Sequence, residues 1–197
     1  QQQRATINHY AELGYVDAPR ILPEEKKKHI INALIDKYPK ITGWDNGQMS
    51  DSRFAKGKYT KSALTMASRL FAIIKKKELT ADIVRGRGDD CPYEFYGYTD
   101  NDINTIFAAY NDFQSQLKAQ NLLEFDDQLI LVNKLYSMHP SLFEEMGFKH
   151  IMVDEFQDTD LPQIKLLQKM IDTTTFKSFM AVGDDAQAIF GFRDTSP

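Results

Sequence analysis

Through most of the first 120 positions, apolar residues recur three and four places apart. Beyond residue 150 they bunch into short unbroken runs. The first pattern is that of amphipathic helices, the second that of strands buried in a parallel sheet. Ile30, Ile31, Leu34, Ile35 and Tyr38 share one face of a helix that Pro23, Glu24 and Glu25 open and Pro39 ends. Leu64, Ala67, Leu70, Phe71 and Ile74 stripe a second helix, capped by Thr60 and running to Lys77. Thr80 caps a short one reaching Val84. Thr99 followed by Asp102 is a capping pattern, and behind it Ile103, Ile106, Phe107, Tyr110, Phe113 and Leu117 give the clearest helical period in the chain. Asp126 caps a helix carrying Leu129, Ile130, Val132, Leu135 and Tyr136, and Pro140 opens another that Gly147 closes. Residues 1–22 are mixed, with Tyr10, Leu13, Tyr15 and Val16 available to pack on a neighbour. Residues 42–58, broken by Gly43, Asn46, Gly47 and Gly57, read as an exposed loop, as do residues 85–90.

Ile151-Met152-Val153 runs straight into Asp154-Glu155. An apolar run closed by a sharp polar switch predicts a buried parallel strand with its acids at the carboxyl edge, where open α/β sheets bind ligands. Neighbouring residues at a strand end point different ways, so one acid can face a metal and the other a water. That division suits Mg²⁺-assisted phosphate chemistry. Asp160 and Pro162 then start a helix with Ile164, Leu167 and Met170 inward. Phe179-Met180-Ala181-Val182 repeats the device, ending in Gly183-Asp184-Asp185-Ala186-Gln187. The class is therefore α/β: helical over 1–118, then αβαβ-like over 119–197.

The stretch DEFQDTD at 154–160 resembles motif II (Walker B), and VGDDAQAIFGFR at 182–193 motif III, of the UvrD/Rep/PcrA group of superfamily 1 DNA helicases. Leu123-Glu124-Phe125-Asp126-Asp127 is similar to the place where that family's chain re-enters its motor core. The resemblance is specific over 121–193 and one of layout over 1–120. It implies a helical subdomain (1B-like) at 1–118, inserted into a P-loop NTPase, RecA-like domain whose later strands occupy 119–197. It implies ATP and Mg²⁺ as cofactors, and single-stranded DNA and its junction with duplex as partners. The implied function is an ATP-dependent helicase or translocase, with 3′→5′ polarity, in repair or recombination.

Carried over residue by residue, the resemblance makes Asp154 a Mg²⁺ ligand and Glu155 the base that orients the attacking water. Glutamine donates and accepts without charge, so Gln187 suits γ-phosphate sensing. Gln157 either joins it at the nucleotide or braces motif III. Asp158 suits holding a neighbouring backbone or an arginine, and Asp184 suits close approach to the nucleotide site better than Asp185. Phe190 and Phe192, beside Arg193, offer π-faces for stacking on DNA bases, or one is simply core. Both stand where the family usually has Trp or Tyr, and Asp194-Thr195 follows where Gly-Ala is commoner. Lys26-Lys27-Lys28, Lys75-Lys76-Lys77 and the Arg85/Arg87 loop are either solvated faces or duplex contacts.

The chain's 197 residues, 42% hydrophobic and 26% charged, suit one domain plus a subdomain. The net charge of −4 provides no global attraction to DNA, so any nucleic-acid site is a local patch. A single cysteine, Cys91, rules out an intrachain disulfide and fits a reducing, cytoplasmic setting. No apolar run is long enough to span a membrane. A phosphate-cradling loop reads G-x-x-x-x-G-K-[ST]. The nearest stretch, Gly57-Lys58-Tyr59, has Ser52 in the first glycine's place, Tyr59 in the hydroxyl's, and follows no strand. With Gln1 at one end and Pro197 just after motif III, the expectation is a segment of a larger protein, partnered by the rest of the same chain and inactive alone. The readings left open are a RecB/AddA-like helicase–nuclease motor, a Mg²⁺-dependent nuclease or phosphohydrolase built on the acids, and a DNA-binding module with a dead motor.

Overall fold

The computed structural model describes residues 9–38, 41, 59–89 and 91–184, with backbone alone for 59–62 and 143. The expected loop at 42–58, and Asp185, Gln187, Phe190, Phe192 and Arg193, lie outside the described residues. In chain order the elements are β1 (Arg20–Ile21), α1 (Glu24–Lys37), α2 (Tyr59–Lys76), α3 (Ala81–Gly86), a 3-10 turn at Tyr93–Phe95, α4 (Asp100–Ala119), β2 (Leu122–Leu123), α5 (Phe125–Met138), α6 (Ser141–Met146), β3 (His150–Val153), a second 3-10 turn at Phe156–Asp158, α7 (Leu161–Ile171) and β4 (Ser178–Ala181). The fold is mixed α/β and mostly helical, with few and short strands. It groups into two compact units, one over Ile21–Leu122 and one over Gln1–Arg20 with Leu123–Pro197. Residues 9–20 thus go with the later unit, where the sequence reading runs 1–118 together.

The first unit is built from stripes that face one another. Ile31 and Leu34 of α1, Leu70 and Ile74 of α2, and Ile103, Ile106 and Phe113 of α4 are all but fully buried in one cluster. Each such side chain contributes about 1.5–3 kcal/mol of transfer free energy. Phe71 packs its ring 5.4 Å from Phe113 and edge-on to Tyr110. Thr99 and Asp102 form the expected reciprocal cap on α4, which satisfies two amides the first turn would otherwise leave unpaired. Lys37 of α1 reaches Asp112 of α4 at 2.7 Å.

Three local expectations shift. The helix α2 begins at Tyr59, one residue before the expected cap Thr60. Glu124 rather than Asp126 caps α5, because Asp127 sits at the third helical position and accepts from the Glu124 amide at 2.7 Å. Lys75 is almost wholly buried, so its run is not simply a solvated face.

In the second unit α7 starts from a capping box between Asp160 and Gln163. Asn133 of α5 donates to the Pro162 carbonyl at 2.7 Å and so fixes where α7 begins. Leu166 and Met170 pack near Val132 and Tyr136, while Ile164, expected inward, is exposed. β3 and β4 pair in parallel, Ile151 beside Phe179 and Val153 beside Ala181. The pairing matches expectation and the burial does not. β4 is exposed throughout, and only Ile151 of β3 is buried. Among the described residues no further strand pairs with β3 or β4, and two strands alone cannot enclose their own side chains.

Candidate functional site

The acids lie where the parallel ladder runs out. Val182 donates to the Val153 carbonyl and Phe156 to the Val182 carbonyl, each at 2.9 Å. These bonds pin the carboxyl ends of β3 and β4 side by side. Between them the chain must leave the strand and turn at once into the Phe156–Asp158 3-10 turn. Glu155 absorbs that change, with φ 50° in the left-handed region. A non-glycine residue pays roughly 1–2 kcal/mol to sit there, and such positions cluster where function fixes the backbone.

Asp154 is exposed, and its Oδ1 accepts from the Glu155 amide at 3.0 Å. Glu155 is also exposed, yet its carboxylate is not loose: Gln157 Nε2 donates to Oε2 at 2.5 Å. Gln157 is itself 8% exposed. Its other end, Oε1, accepts from the Asp184 backbone amide at 3.0 Å. One buried amide therefore touches the acid after β3 and the backbone after β4. Asp158, one residue on, has a buried Oδ1 with no hydrogen-bond partner among the described residues.

The donor chemistry at Asp154 fits Mg²⁺. That ion takes one or two carboxylates, several waters and substrate phosphates in place of a cage of protein ligands. Asp154 offers such an ion one exposed carboxylate. Of the expected site residues, Asp154, Glu155 and Gln157 come together here. Gln187, Phe190, Phe192 and Arg193 lie outside the described residues.

Two features escaped the sequence. Gly183 approaches Gln157 so closely that a Cβ there would stand 2.4 Å from Oε1 and 3.1 Å from the Phe156 nitrogen. The only signal was a glycine between an apolar run and an acid. Elsewhere in the unit, Glu12 bridges His9, at 2.8 Å, and His139. The hydrogen bond from His9, then that from His139, holds its carboxyl below the usual range. No motif marks residues 127 positions apart in sequence as neighbours. In the helical unit Arg85 pairs with Asp82 and Asn104, and Arg87 with Asp100. Both arginines line a surface hollow with Tyr96 and Tyr98. Among the described residues, no helix is long and apolar enough to cross a membrane.

The model of the UvrD/REP helicase N-terminal domain matches residues 3–197. The chain is 34% identical over 87 residues to a probable DNA helicase II homolog of Rickettsia felis, and 33% identical over 97 residues to the ATP-dependent DNA helicase PcrA of Staphylococcus aureus. It is 33% identical over 86 residues to the DNA helicase II of Rickettsia typhi. These matches take in 43%, 48% and 43% of this chain and 13% of each relative's own length. A match running over nearly every residue, together with relatives of the same type, settles the family: the chain belongs to the UvrD/REP helicase N-terminal domain family.

Proposed function

We propose that this chain is part of an ATP-dependent DNA helicase, one that couples ATP hydrolysis to movement along single-stranded DNA. The observation that carries the reading is the placement of Asp154 and Glu155 at the paired carboxyl ends of β3 and β4. Residues 1–118 are a 1B-like helical subdomain, apart from the N-terminal stretch that packs with the later unit. Residues 119–197 are the later part of a RecA-like motor domain. The outer edges of β3 and β4 are where further strands of that sheet pair, and their exposed faces are where its covering layers pack.

In this reading Asp154 holds Mg²⁺, and Glu155 orients and deprotonates the attacking water. Mg²⁺ with ATP supplies the charge neutralisation that in-line phosphoryl transfer requires. The bond from the Glu155 amide orients the Asp154 carboxylate that would hold the ion, and the bond from Gln157 holds the Glu155 carboxylate that would take the water's proton. Gln187 reads the γ-phosphate, and Phe190, Phe192 and Arg193 meet the DNA strand. The polarity is 3′→5′, the setting is repair or recombination in the cytoplasm, and the preferred substrate is the junction of single strand and duplex.

The test is steady-state ATPase of the full-length protein with Mg²⁺ and single-stranded DNA. Glu155→Gln keeps the shape and removes the base, so kcat is expected to fall by about 100-fold or more, with DNA binding kept. An active protein indifferent to Glu155→Gln rejects the assignment. Metal-dependent cleavage of DNA without ATP moves it to a nuclease, and DNA binding without nucleotide turnover to a dead motor.

A further inference from the structure

We infer that Gln157 is a positioning residue that ties the Glu155 carboxylate to the backbone after β4, so that neither moves without the other. The inference rests on the reading of Glu155 as the base, and it places Gln157 in the coupling of the site rather than on the nucleotide. Three observations meet at this side chain. Both ends of its amide are used, Nε2 by Glu155 Oε2 and Oε1 by the Asp184 amide. Only one orientation of the amide satisfies both contacts. Turned over, its oxygen would face a carboxylate and its NH2 an N–H, so the acceptor-to-donor order is forced by chemistry. Gln157 is also buried, so neither bond has water as an equal replacement.

The third observation is Gly183. A Cβ at this position would meet the Gln157 oxygen at 2.4 Å, with the Phe156 and Gln157 backbone nitrogens at 3.1 and 3.2 Å. A glutamine end usually yields to such an approach. This one is held at both ends, and the nitrogens behind it are backbone. Glycine is thus the residue that lets the chain after β4 come near enough for the Asp184 amide to bond. The geometry makes a short relay. A shift in the backbone at Gly183–Asp184 pulls on Oε1, and the rigid amide passes it to Nε2 and the Glu155 carboxylate, whose own backbone is already constrained at φ 50°. Whatever the segment after β4 senses, the base feels within one side chain.

The relay is tested on the full-length protein with three substitutions read together. Gln157→Met removes both bonds at similar volume. It should lower kcat about tenfold or more, as loss of an orienting partner commonly does, and leave the KM for ATP within about twofold. Gln157→Glu keeps an acceptor for the Asp184 amide and sets a second carboxylate against Glu155. Repulsion between the two should turn the Glu155 carboxylate from its place, so kcat should fall while the KM for ATP stays within about twofold. Gly183→Ala displaces the amide without altering its chemistry and should reproduce the Gln157→Met loss in kcat. Hydrogen exchange at the Asp184 amide should quicken in Gln157→Met and Gly183→Ala and stay slow in Gln157→Glu.

A raised KM with unchanged kcat in Gln157→Met puts the amide on the nucleotide and overturns the inference. Unchanged kcat in both Gln157→Met and Gly183→Ala does the same, and the helicase reading survives if Glu155→Gln is still inactive. Should Gln157→Met fail to fold, the kcat and KM of Gln157→Glu and of Gly183→Ala decide. A full-length protein with no ATPase defeats the helicase reading, and Asp184 exchange then still reports whether the bond holds.

Discussion

In the helical unit Phe113, Ile31 and Ile106 have no exposed surface, while in the strand-bearing unit Met152 of β3 is 80% exposed and Met180 of β4 is 56% exposed. The two regions are comparable in apolar content, so hydrophobicity is not the difference. A helix satisfies its backbone within itself and needs only one covered stripe. In Ile21–Leu122 the stripes of α1, α2 and α4 cover one another. A strand needs neighbours along its edges and a layer over each face. Among the described residues β3 and β4 pair only with one another, and β4 is exposed throughout. Foldability here follows from how many partners an element requires.

The largest expected effect separates the two regions directly. Phe113→Ala leaves a cavity among the rings of Phe71 and Tyr110 and the branched residues of α1 and α2. It should cost about 3–5 kcal/mol, read as a lower denaturant midpoint. Phe179→Ala on β4 removes a partly exposed ring that packs edge-on to Phe156, and should cost only about 1–2 kcal/mol. Similar losses at both sites would break the comparison, because they would mean that β4 is covered in solution.

What the sequence made legible divides along the same line. Local signals carried the helices: the Thr99–Asp102 cap, the Asp160 cap with Pro162, and Gly147, which closes α6 at φ 64°. Each is settled within a turn or two of chain, which is why each was readable. The parallel strands and the acids at their ends were readable too, because the switch from apolar to acidic is written in consecutive residues. Burial of those strands was not, since it depends on whether other strands lie alongside. Nor was the role of Gly183, or the Gln157 link between Glu155 and Asp184, which arises only when two strand ends 27 residues apart meet. The cap of α5 was misplaced by two residues because Glu124, Asp126 and Asp127 all carry side-chain acceptors. Only the reciprocal bond of Asp127 with the Glu124 amide chooses among them.

A smaller effect sharpens the comparison from the helical side. The hydrogen bond from Lys37 holds the Asp112 carboxyl below its ordinary range, with Gln116 adding to it, and the same contact with Asp112 raises Lys37. A depressed carboxyl contributes stability that is present above the ordinary carboxylate value and lost as pH falls through the folded one. A raised lysine contributes stability that is present below its ordinary value and lost as pH rises through the folded one. The pair therefore favours the helical unit across the neutral range and fades at both extremes. Lys37→Met should lower the urea midpoint modestly at neutral pH and leave it unchanged in strong acid. The change should shrink in high salt, as a surface pair's does. An equal loss at every pH would assign the effect to the packing of the lysine stem.

The smallest expected effect bears on the strand-bearing unit. Met152→Lys puts a charge on a position of β3 that is 80% exposed, and in this chain it should change stability by about 0.5 kcal/mol or less. A lysine on an open strand keeps its ammonium in water, and β3 already tolerates an exposed His150. In the full-length protein the same substitution tests the proposal that further strands and their covering layer lie on this sheet. Burying an unpaired ammonium under such a layer is costly, so the loss there should be several times larger and should lower the ATPase with it, because β3 positions Asp154 and Glu155. Equal, negligible effects in the segment and in the full-length protein would mean that the face stays open. The acids would then sit at the end of a two-stranded ribbon rather than at the edge of a sheet, and a RecA-like motor core would no longer describe residues 119–197.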